Sequence, residues 1–159
     1  MFKNVLVPFD ESEHAQAALH VALDLVGDNP MATIHIVTVV SSDIMPPSMI
    51  SAAGGFGEIP IDYGNYEALL ASIVERSDRD LHDSITSLLG KDLDAVKANV
   101  TIEARLAPSA VDGIDAYVTD HQCDLIIMGR RGLGALRGML GSVSYGVLRS
   151  SDIPVLTVK

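Results

Sequence analysis

The sequence contains little cysteine and no long apolar run. Cys123 is the only cysteine, so the chain can form no internal disulfide and no zinc site built on several thiolates. The N-terminus leads directly into a strand-like apolar run rather than a signal peptide, which together with the single cysteine predicts a cytoplasmic protein. No apolar run approaches the ~18 residues that cross a bilayer, so we expect no membrane insertion.

Basic residues are also scarce. The chain has 11 Lys and Arg against 21 Asp and Glu, for a formal net charge of −10. Binding to nucleic acid needs a basic surface, so we expect no nucleic-acid partner. Arg130, Arg131 and Arg137 form the one local basic cluster in this acidic sequence.

Apolar residues make up 48% of the 159 residues, enough for one domain over 1–159 with a single core. Strand-like runs occur at 4–8, 33–40, 100–106, 124–128 and 154–158. Helical periodicity occurs between them, at 15–26, 66–89, 110–118 and 142–150, and Pro108 is expected in the first turn of the third helix. Strict alternation of this kind predicts a parallel sheet with helices on both faces.

One segment, about 42–65, has a different composition. It contains Pro46-Pro47, Gly54-Gly55, Gly57 and Pro60, which indicate a long flexible loop. It is either a lid over a ligand or a mobile surface insertion.

Distinctive residues follow two of the strands. Pro8-Phe9-Asp10 follows the first, and Gly129-Arg130-Arg131-Gly132 follows the fourth. Open parallel sheets bind ligands at such carboxyl ends, and glycines let the backbone approach a phosphate. Gly141-Ser142 opens the next helix, whose free amides favour an anion. The stretch 129–143 therefore predicts a phosphate cradle with Asp10 as a ribose acceptor, although each feature also has a structural interpretation as a tight turn or helix cap.

These motifs resemble those of universal stress proteins. The resemblance rests on Val5-Leu6-Val7-Pro8-Phe9-Asp10, His35-Ile36-Val37, Asp124-Leu125-Ile126-Ile127-Met128-Gly129-Arg130-Arg131-Gly132, Gly141-Ser142-Val143 and Ile153-Pro154-Val155-Leu156-Thr157-Val158. It covers the chain apart from the segment near 42–65.

The resemblance implies a Rossmann-like fold of the adenine nucleotide α-hydrolase type. This is a single-domain, doubly wound, five-stranded parallel sheet in the order 3-2-1-4-5. It also implies an ATP-binding, nucleotide-dependent stress-response regulator with an unknown protein partner. AMP or ADP as the ligand, and Mg²⁺ with the nucleotide, stay open. The family habit, together with an apolar last strand at a sheet edge, predicts a homodimer through the C-terminal strand.

The resemblance further assigns roles by position. Asp10 would meet the ribose, and Pro8 and Ile36 would line the adenine. The residues expected along the ribose and phosphates are Met128, Gly129, Arg130 and Gly132, and those expected to hold the phosphates are Gly141, Ser142 and Val143.

One departure concerns the glycine spacing. Eight residues separate Gly132 from Gly141, where the ATP-binding pattern of the family has nine. Either Gly134 and Gly138 let the loop tighten, or Ser142 moves out of reach and triphosphate binding weakens. The second outcome would leave a nucleotide-independent dimeric interaction module.

Enzymatic chemistry is not encoded in a recognisable motif. The P-loop pattern Gly-x4-Gly-Lys-Ser/Thr is absent, so no catalytic residue is assigned and a slow ATPase is kept as a further alternative. The histidines lack metal-ligand spacing, so no metal site is expected. His35 is predicted to be a core residue, and Cys123 with His121 is not expected to be catalytic.

Overall fold

The computed structural model describes residues 2–42, 63–133 and 140–159, with the backbone alone at 63–65. Its strands are β1 (Asn4–Pro8), β2 (Thr33–Ser41), β3 (Asn99–Ala107), β4 (Leu125–Gly129) and β5 (Val155–Val158). Its helices are α1 (Glu13–Val26), α2 (Tyr63–Leu89), α3 (Asp92–Ala95), α4 (Ala110–Asp120) and α5 (Ser142–Ser150). Most of the predicted loop at 42–65 lies outside the described residues. Helix α2 begins three residues before the predicted start, and the short α3 was not predicted.

The five strands form one parallel sheet in the order β3-β2-β1-β4-β5. This confirms the predicted order. Strand β1 is central, with β2 on one side and β4 on the other. The chain therefore winds outward in one direction to β3 and in the other to β5. The reversal leaves a crevice beyond the carboxyl ends of β1 and β4.

Helices cover both faces of the sheet, and each face has its own apolar core. The core on one face includes residues of the sheet, α1 and α2: Val5, Val7, Leu19, Ile34, Ile36, Leu81 and Ile85. The core on the other face includes residues of the sheet, α4 and α5: Leu6, Val37, Ile114, Tyr117, Ile126 and Val147. Side chains alternate across a strand, so neighbours such as Ile36 and Val37 face different helices.

Strand composition follows position in the sheet. All five residues of β4 are buried because helices cover both of its faces. Strand β3 forms an edge and contains no fully buried residue. The alternating sequence of residues 100–106 is typical of a strand in this position.

Hydroxyl side chains and one glycine define several helix ends. The Ser12 hydroxyl accepts a hydrogen bond from the amide of Ala15 and caps α1. Ser109 caps α4 in the same way, so the prediction that Pro108 occupies the first turn of α4 was wrong. Pro108 precedes the cap because the Ser109 hydroxyl supplies the acceptor that the first turn needs. Gly90 follows α2 at φ +50°, a conformation that glycine adopts readily.

None of the helices in the described part of the chain has the length and apolar character of a membrane span.

Candidate functional site

The crevice at the winding reversal contains a cavity of about 500 Å³. The carboxyl ends of β1, β2 and β4 line it, together with residues of α1, α4 and α5. Aliphatic side chains of β2 and α4 line one end of the cavity, and polar residues after β4 and at the start of α5 line the other end. A cavity of this size accommodates a ligand of drug or nucleotide dimensions.

The part of the cavity between β2 and α4 is apolar. Val37 and Val39 of β2 line it together with Ala110 and Ile114 of α4. Gly113 lets the two elements approach closely, because a Cβ at this position would lie 2.6 Å from Cγ1 of Val39. The aliphatic walls form a slot that suits the face of an aromatic ring.

Strand β2 continues past the end of β1. Their pairing ends at Pro8 and Val37, where the amide of Phe9 donates to the carbonyl of Val37 at 2.9 Å. Alternate residues of a parallel strand direct their amide and carbonyl toward the same neighbour. The amide and carbonyl of Val39 therefore point into the crevice beyond β1. They supply a hydrogen-bond donor and an acceptor at the apolar end of the cavity.

The polar end of the cavity is formed after β4 and at the start of α5. The amide of Gly141 donates to the carbonyl of Arg130 at 3.0 Å, which brings the chain back to the end of β4. Ser142 begins α5 and lines the cavity. Ser144 is 2% exposed, and its hydroxyl donates to the carbonyl of Gly129 at 2.9 Å. The first-turn amides and the positive end of the α5 dipole favour an anion here.

Two glycines at this end are required by close contacts. A Cβ on Gly129 would lie 2.8 Å from the backbone carbonyl carbon of His14 in α1. A Cβ on Gly132 would overlap Oδ2 of Asp10. Among the glycines that the structure describes, only Gly90 has a positive φ. Close packing, rather than a left-handed backbone, therefore explains Gly129 and Gly132.

Asp10 connects the turn after β1 to the segment after β4. Its Oδ1 accepts hydrogen bonds from the hydroxyl and amide of Ser12, at 2.6 and 3.2 Å. Its Oδ2 accepts from the amide of Leu133 at 3.2 Å. Asp10 is exposed and lines the cavity, whereas Ser12 is the cap of α1. The alternative interpretation of Asp10 as a helix cap is therefore wrong.

The residue after Asp10 has an uncommon backbone conformation. Glu11 lies at φ +65°, a region that few residues other than glycine occupy. Its carboxylate accepts a hydrogen bond from the Ser84 hydroxyl of α2. Backbone strain of this kind is concentrated at functional sites, and here it accompanies the turn that presents Asp10.

Eight of the ten predicted site residues line the cavity: Pro8, Asp10, Met128, Gly129, Gly132, Gly141, Ser142 and Val143. Ile36 does not line it, because this residue is fully buried in the core beside α1 and α2. Val37 and Val39 occupy the cavity face of β2 instead. Arg130 is not a lining residue either. Its amide donates to the Val158 carbonyl at 2.6 Å, and Arg131 lines the cavity in its place.

Several lining residues were not predicted. Ala110 and Ile114 come from α4, and Ser144 comes from the first turn of α5. Nothing in the sequence favoured Val37 over Ile36, because β2 is buried on both faces in its first half. The contribution of α4 had no signal in the sequence, since it depends on how the helix packs over β2.

The shorter glycine spacing does not move Ser142 away from the cavity. Ser142 and Gly141 both line it with eight residues between Gly132 and Gly141. Gly134 and Gly138, which were expected to let the loop tighten, lie outside the described residues.

Cys123 is buried just before β4. Burial, followed by the charge of Asp124, raises the pKa of its thiol to about 11. The thiol therefore stays protonated at neutral pH and is a poor nucleophile. Within the described ranges, no group of three His, Cys, Asp or Glu side chains is placed to hold a metal ion.

Among models of protein families, the one described as the universal stress protein family matches residues 1–159. A search of curated protein sequences finds no significant match.

Solved structures share the fold. That of hypothetical protein MJ0577 has a TM-score of 0.74 and 24% identity, covering 100% of this chain and 96% of the other. A universal stress protein in complex with cAMP has a TM-score of 0.55 and 23% identity, covering 99% and 96%. The universal stress protein from Archaeoglobus fulgidus in complex with dAMP has a TM-score of 0.55 and 15% identity, covering 100% and 98%. At these identities the similarity shows the fold alone.

Proposed function

The chain belongs to the universal stress protein family, and from this premise we propose that its cavity binds an adenine nucleotide, ATP, as a regulatory ligand. The cavity itself carries the proposal. It lies at the winding reversal of a parallel sheet, with an apolar slot near a helix N-terminus. The base would occupy the slot and the phosphates the helix end. The complexes of two universal stress proteins with cAMP and dAMP support an adenine nucleotide as the ligand class.

The slot favours adenine by its backbone groups. With the base between Val39 and Ile114, the Val39 carbonyl accepts from the 6-amino group and the Val39 amide donates to N1. Guanine presents the opposite order, an acceptor at position 6 and a donor at N1. Guanine would therefore place its N1–H donor against the Val39 amide donor and its O6 acceptor against the Val39 carbonyl acceptor. Both mismatches leave buried polar groups unpaired.

The ribose and phosphates continue from the slot toward α5. Asp10 is a carboxylate acceptor suited to ribose hydroxyls, and a charge-assisted bond of this type is stronger than a neutral one. The phosphates would approach Gly132 and Gly141 and the first turn of α5, where the Ser142 hydroxyl donates. Arg131 lines the same end and contributes positive charge.

Calorimetric titration of nucleotide-stripped protein with ATP, AMP and GTP tests the proposal. We expect saturable ATP binding of micromolar affinity and much weaker GTP binding. Gly132→Val and Gly141→Val should abolish ATP binding, because a side chain at Gly132 displaces Asp10 and one at Gly141 meets the backbone of Arg131 at 3.3 Å.

The matched control is Gly90→Asn, since Gly90 has no neighbour within 4 Å of a Cβ and asparagine tolerates its positive φ. Absence of both heat and a thermal shift with every adenine nucleotide would contradict the proposal. Equal loss of binding in Gly90→Asn would show that the cavity glycines act only through stability.

We also propose a homodimer through β5, because the two edges of the sheet differ. At β3, helix α2 packs against the strand and Asp78 accepts a hydrogen bond from the amide of Ala104 at 2.8 Å. A charged side chain on an edge amide opposes pairing with another strand. At β5, Leu156 is 41% exposed, and Leu148 and Tyr145 of α5 are exposed. This apolar edge suits the same edge of a second copy.

A further inference from the structure

A cluster of polar rings lies between β2, β3 and α4, on the same face of the sheet as the cavity. This His35 cluster consists of His35, Thr101, Tyr117 and His121. Nδ1 of His35 lies 3.1 Å from the Tyr117 hydroxyl and 2.9 Å from the Thr101 hydroxyl. The rings of Tyr117 and His121 stack with centroids 3.9 Å apart, and the His121 ring lies 5.3 Å from that of His35.

The other ring nitrogen of His35 has no hydrogen-bond partner. His35 is only 6% exposed, and its Nε2 is buried without a partner among the described residues. Protonation of both nitrogens would therefore bury a positive charge with one N–H unsatisfied. Such a charge is costly, so the neutral ring is the favoured form in the folded protein.

The charged and titratable groups around His35 come from three parts of the chain. Strand β3 contributes Glu103 and Arg105, and the guanidinium of Arg105 lies over the Tyr117 ring and pairs with Asp120 at 3.0 Å. Helix α4 contributes Tyr117 and Asp120, and the turn after it contributes His121 and Cys123. Strand β1 places the apolar Leu6 opposite His35 in the sheet register.

These surroundings define the protonation states at neutral pH. Burial, followed by the charge of His121, lowers the pKa of His35, and Glu103 opposes the shift. Burial, followed by the Glu103 carboxylate, raises the pKa of Tyr117, so its hydroxyl remains protonated. In either neutral tautomer of His35, uptake of a second proton creates a buried charge whose Nε2–H has no hydrogen-bond partner among the described residues.

The His35 cluster is mechanically connected to the apolar end of the cavity. On β2, Val37 and Val39 follow His35 on the same strand face, and both line the cavity. On α4, Ile114 precedes Tyr117 by three residues and also lines the cavity. Gly113 holds the helix against Val39 with no space for a Cβ. Displacement of α4 from β2 at Tyr117 would therefore widen the slot at Ile114.

We propose that the His35 cluster makes nucleotide binding sensitive to pH: proton uptake at His35 loosens α4 from β2 and weakens binding at the apolar end of the cavity. This inference rests on the proposed nucleotide function. It predicts that a bound nucleotide is released more readily when the surroundings become acidic.

The sign of the pH dependence follows from proton linkage. The pKa of His35 is lower in the folded chain than the ordinary value of about 6.5, so the unfolded chain binds more protons between these two values. The contribution to stability is complete above about pH 6.5 and is lost as the pH falls toward the folded-state pKa. Nucleotide affinity also falls as the pH falls, because His35 accepts a proton less readily when the slot is closed around the nucleotide than when it is open.

The test compares wild type with His35→Asn, which keeps a polar atom near the position of Nδ1 and does not titrate. ATP affinity by calorimetry and unfolding free energy in urea are measured from pH 7.5 to 5.5. We expect wild type to lose about two- to fivefold in affinity over this range, together with stability. This is part of the tenfold loss that a one-unit difference in pKa between free and bound protein gives once the pH is below both values. The His35→Asn profiles should be flatter. The control His20→Asn, at an exposed position of α1, should match wild type.

Identical pH profiles for wild type and His35→Asn would overturn the inference, as would an NMR titration in which His35 and the exposed His20 share one pKa. If His35→Asn does not fold, His121→Asn provides the second variant. Removal of the His121 charge raises the pKa of His35, so the pH dependence of stability should shrink. Absence of ATP binding at pH 7.5 would contradict the proposed function, whereas the stability profile and the NMR titration still decide whether the cluster responds to pH.

Discussion

Asp10 joins the turn after β1 to the segment after β4, and its carboxylate is oriented before any ligand arrives. One oxygen accepts from Ser12 and the other from the amide of Leu133. A pre-oriented acceptor loses little side-chain entropy on binding. Its negative charge suits ribose hydroxyls and repels phosphates, which supports an arrangement with the ribose near Asp10 and the phosphates near Ser142.

Asp10→Asn should weaken ATP binding by roughly ten- to a hundredfold, because a hydrogen bond to a charged acceptor contributes about 1.5–3 kcal/mol. The amide nitrogen of asparagine can also face the Leu133 N–H, where no hydrogen bond forms. Calorimetry measures the effect, with the exposed Asp152→Asn as the control for loss of one negative charge. Wild-type affinity in Asp10→Asn would contradict the role of this carboxylate.

Site residues that follow the strands were easier to predict than site residues within them. Asp10, Gly129 and Ser142 follow strands or begin a helix, where their residue types have few uses. Strand β2 is apolar on both faces in its first half, so no hydrophobic period distinguishes Ile36 from Val37. The assignment of Ile36 to the base was therefore one residue away from the cavity face.

Helix α5 has nine residues, and contacts near its start and middle determine where its N-terminus lies. Gly141 bonds to the Arg130 carbonyl, and the buried Ser144 hydroxyl bonds to the Gly129 carbonyl. Gly146 lets the helix approach α4, since a Cβ there would lie 2.6 Å from Cγ2 of Val111. The position of the proposed phosphate-binding end thus depends on how α5 docks against β4 and α4.

Ser144→Ala should lower the free energy of unfolding by about 1–3 kcal/mol, because it removes a buried hydrogen bond to the Gly129 carbonyl. It should also weaken ATP binding, since the first turn of α5 loses a contact that orients it. Ser150→Ala is the matched control, because its exposed hydroxyl donates to the carbonyl of Gly146 in the last turn of the same helix. Urea unfolding that gives equal stability for the two variants would rule out this docking role.

The order of elements was predictable, whereas some helix limits were not. Alternating patterns at period 2 and period 3.6 identified the five strands and four of the helices. Helix α2 begins at Tyr63, before the predicted Tyr66, because Gly64 and Asn65 are typical of loops and hid its first turn. Helix α3 has four residues, too few for a hydrophobic period.

Among the described residues, the two edges of the sheet differ. The carboxylate of Asp78 occupies the Ala104 amide at β3, whereas β5 presents the exposed Leu156. A dimer through β5 would cover the apolar surface of this edge, and the net charge of −10 would favour solubility without preventing a specific contact.

Leu156→Lys should convert the proposed dimer to a monomer, because it places like charges at a self-complementary edge and removes apolar contact area. Light scattering at micromolar concentration measures the mass. Leu106→Lys on β3 is the matched control, since Leu106 has a similar exposure of 44% and lies at the opposite edge. A wild-type protein that is already monomeric, or equal masses for the two variants, would contradict the β5 dimer.

Contacts between distant segments were the part that the sequence could not provide. Alternation predicted a parallel sheet covered on both faces, but the order of its strands rested on the family resemblance. His35 was predicted to be a core residue, and its burial confirms this. Its hydrogen bond to Tyr117 joins residues 82 positions apart and depends on the packing of α4 over β2. The aliphatic slot also depends on the packing of α4 over β2.

Nucleotide binding in this cavity is tested most directly by titrating the full chain with ATP and recording backbone amide shifts by NMR. We expect saturating shift changes concentrated at Val39, Asp10, Gly132, Gly141 and Ser142, and we expect AMP to shift Val39 and Asp10 but to affect Ser142 less. No saturating change, or changes confined to surfaces away from this cavity, would contradict the proposed binding.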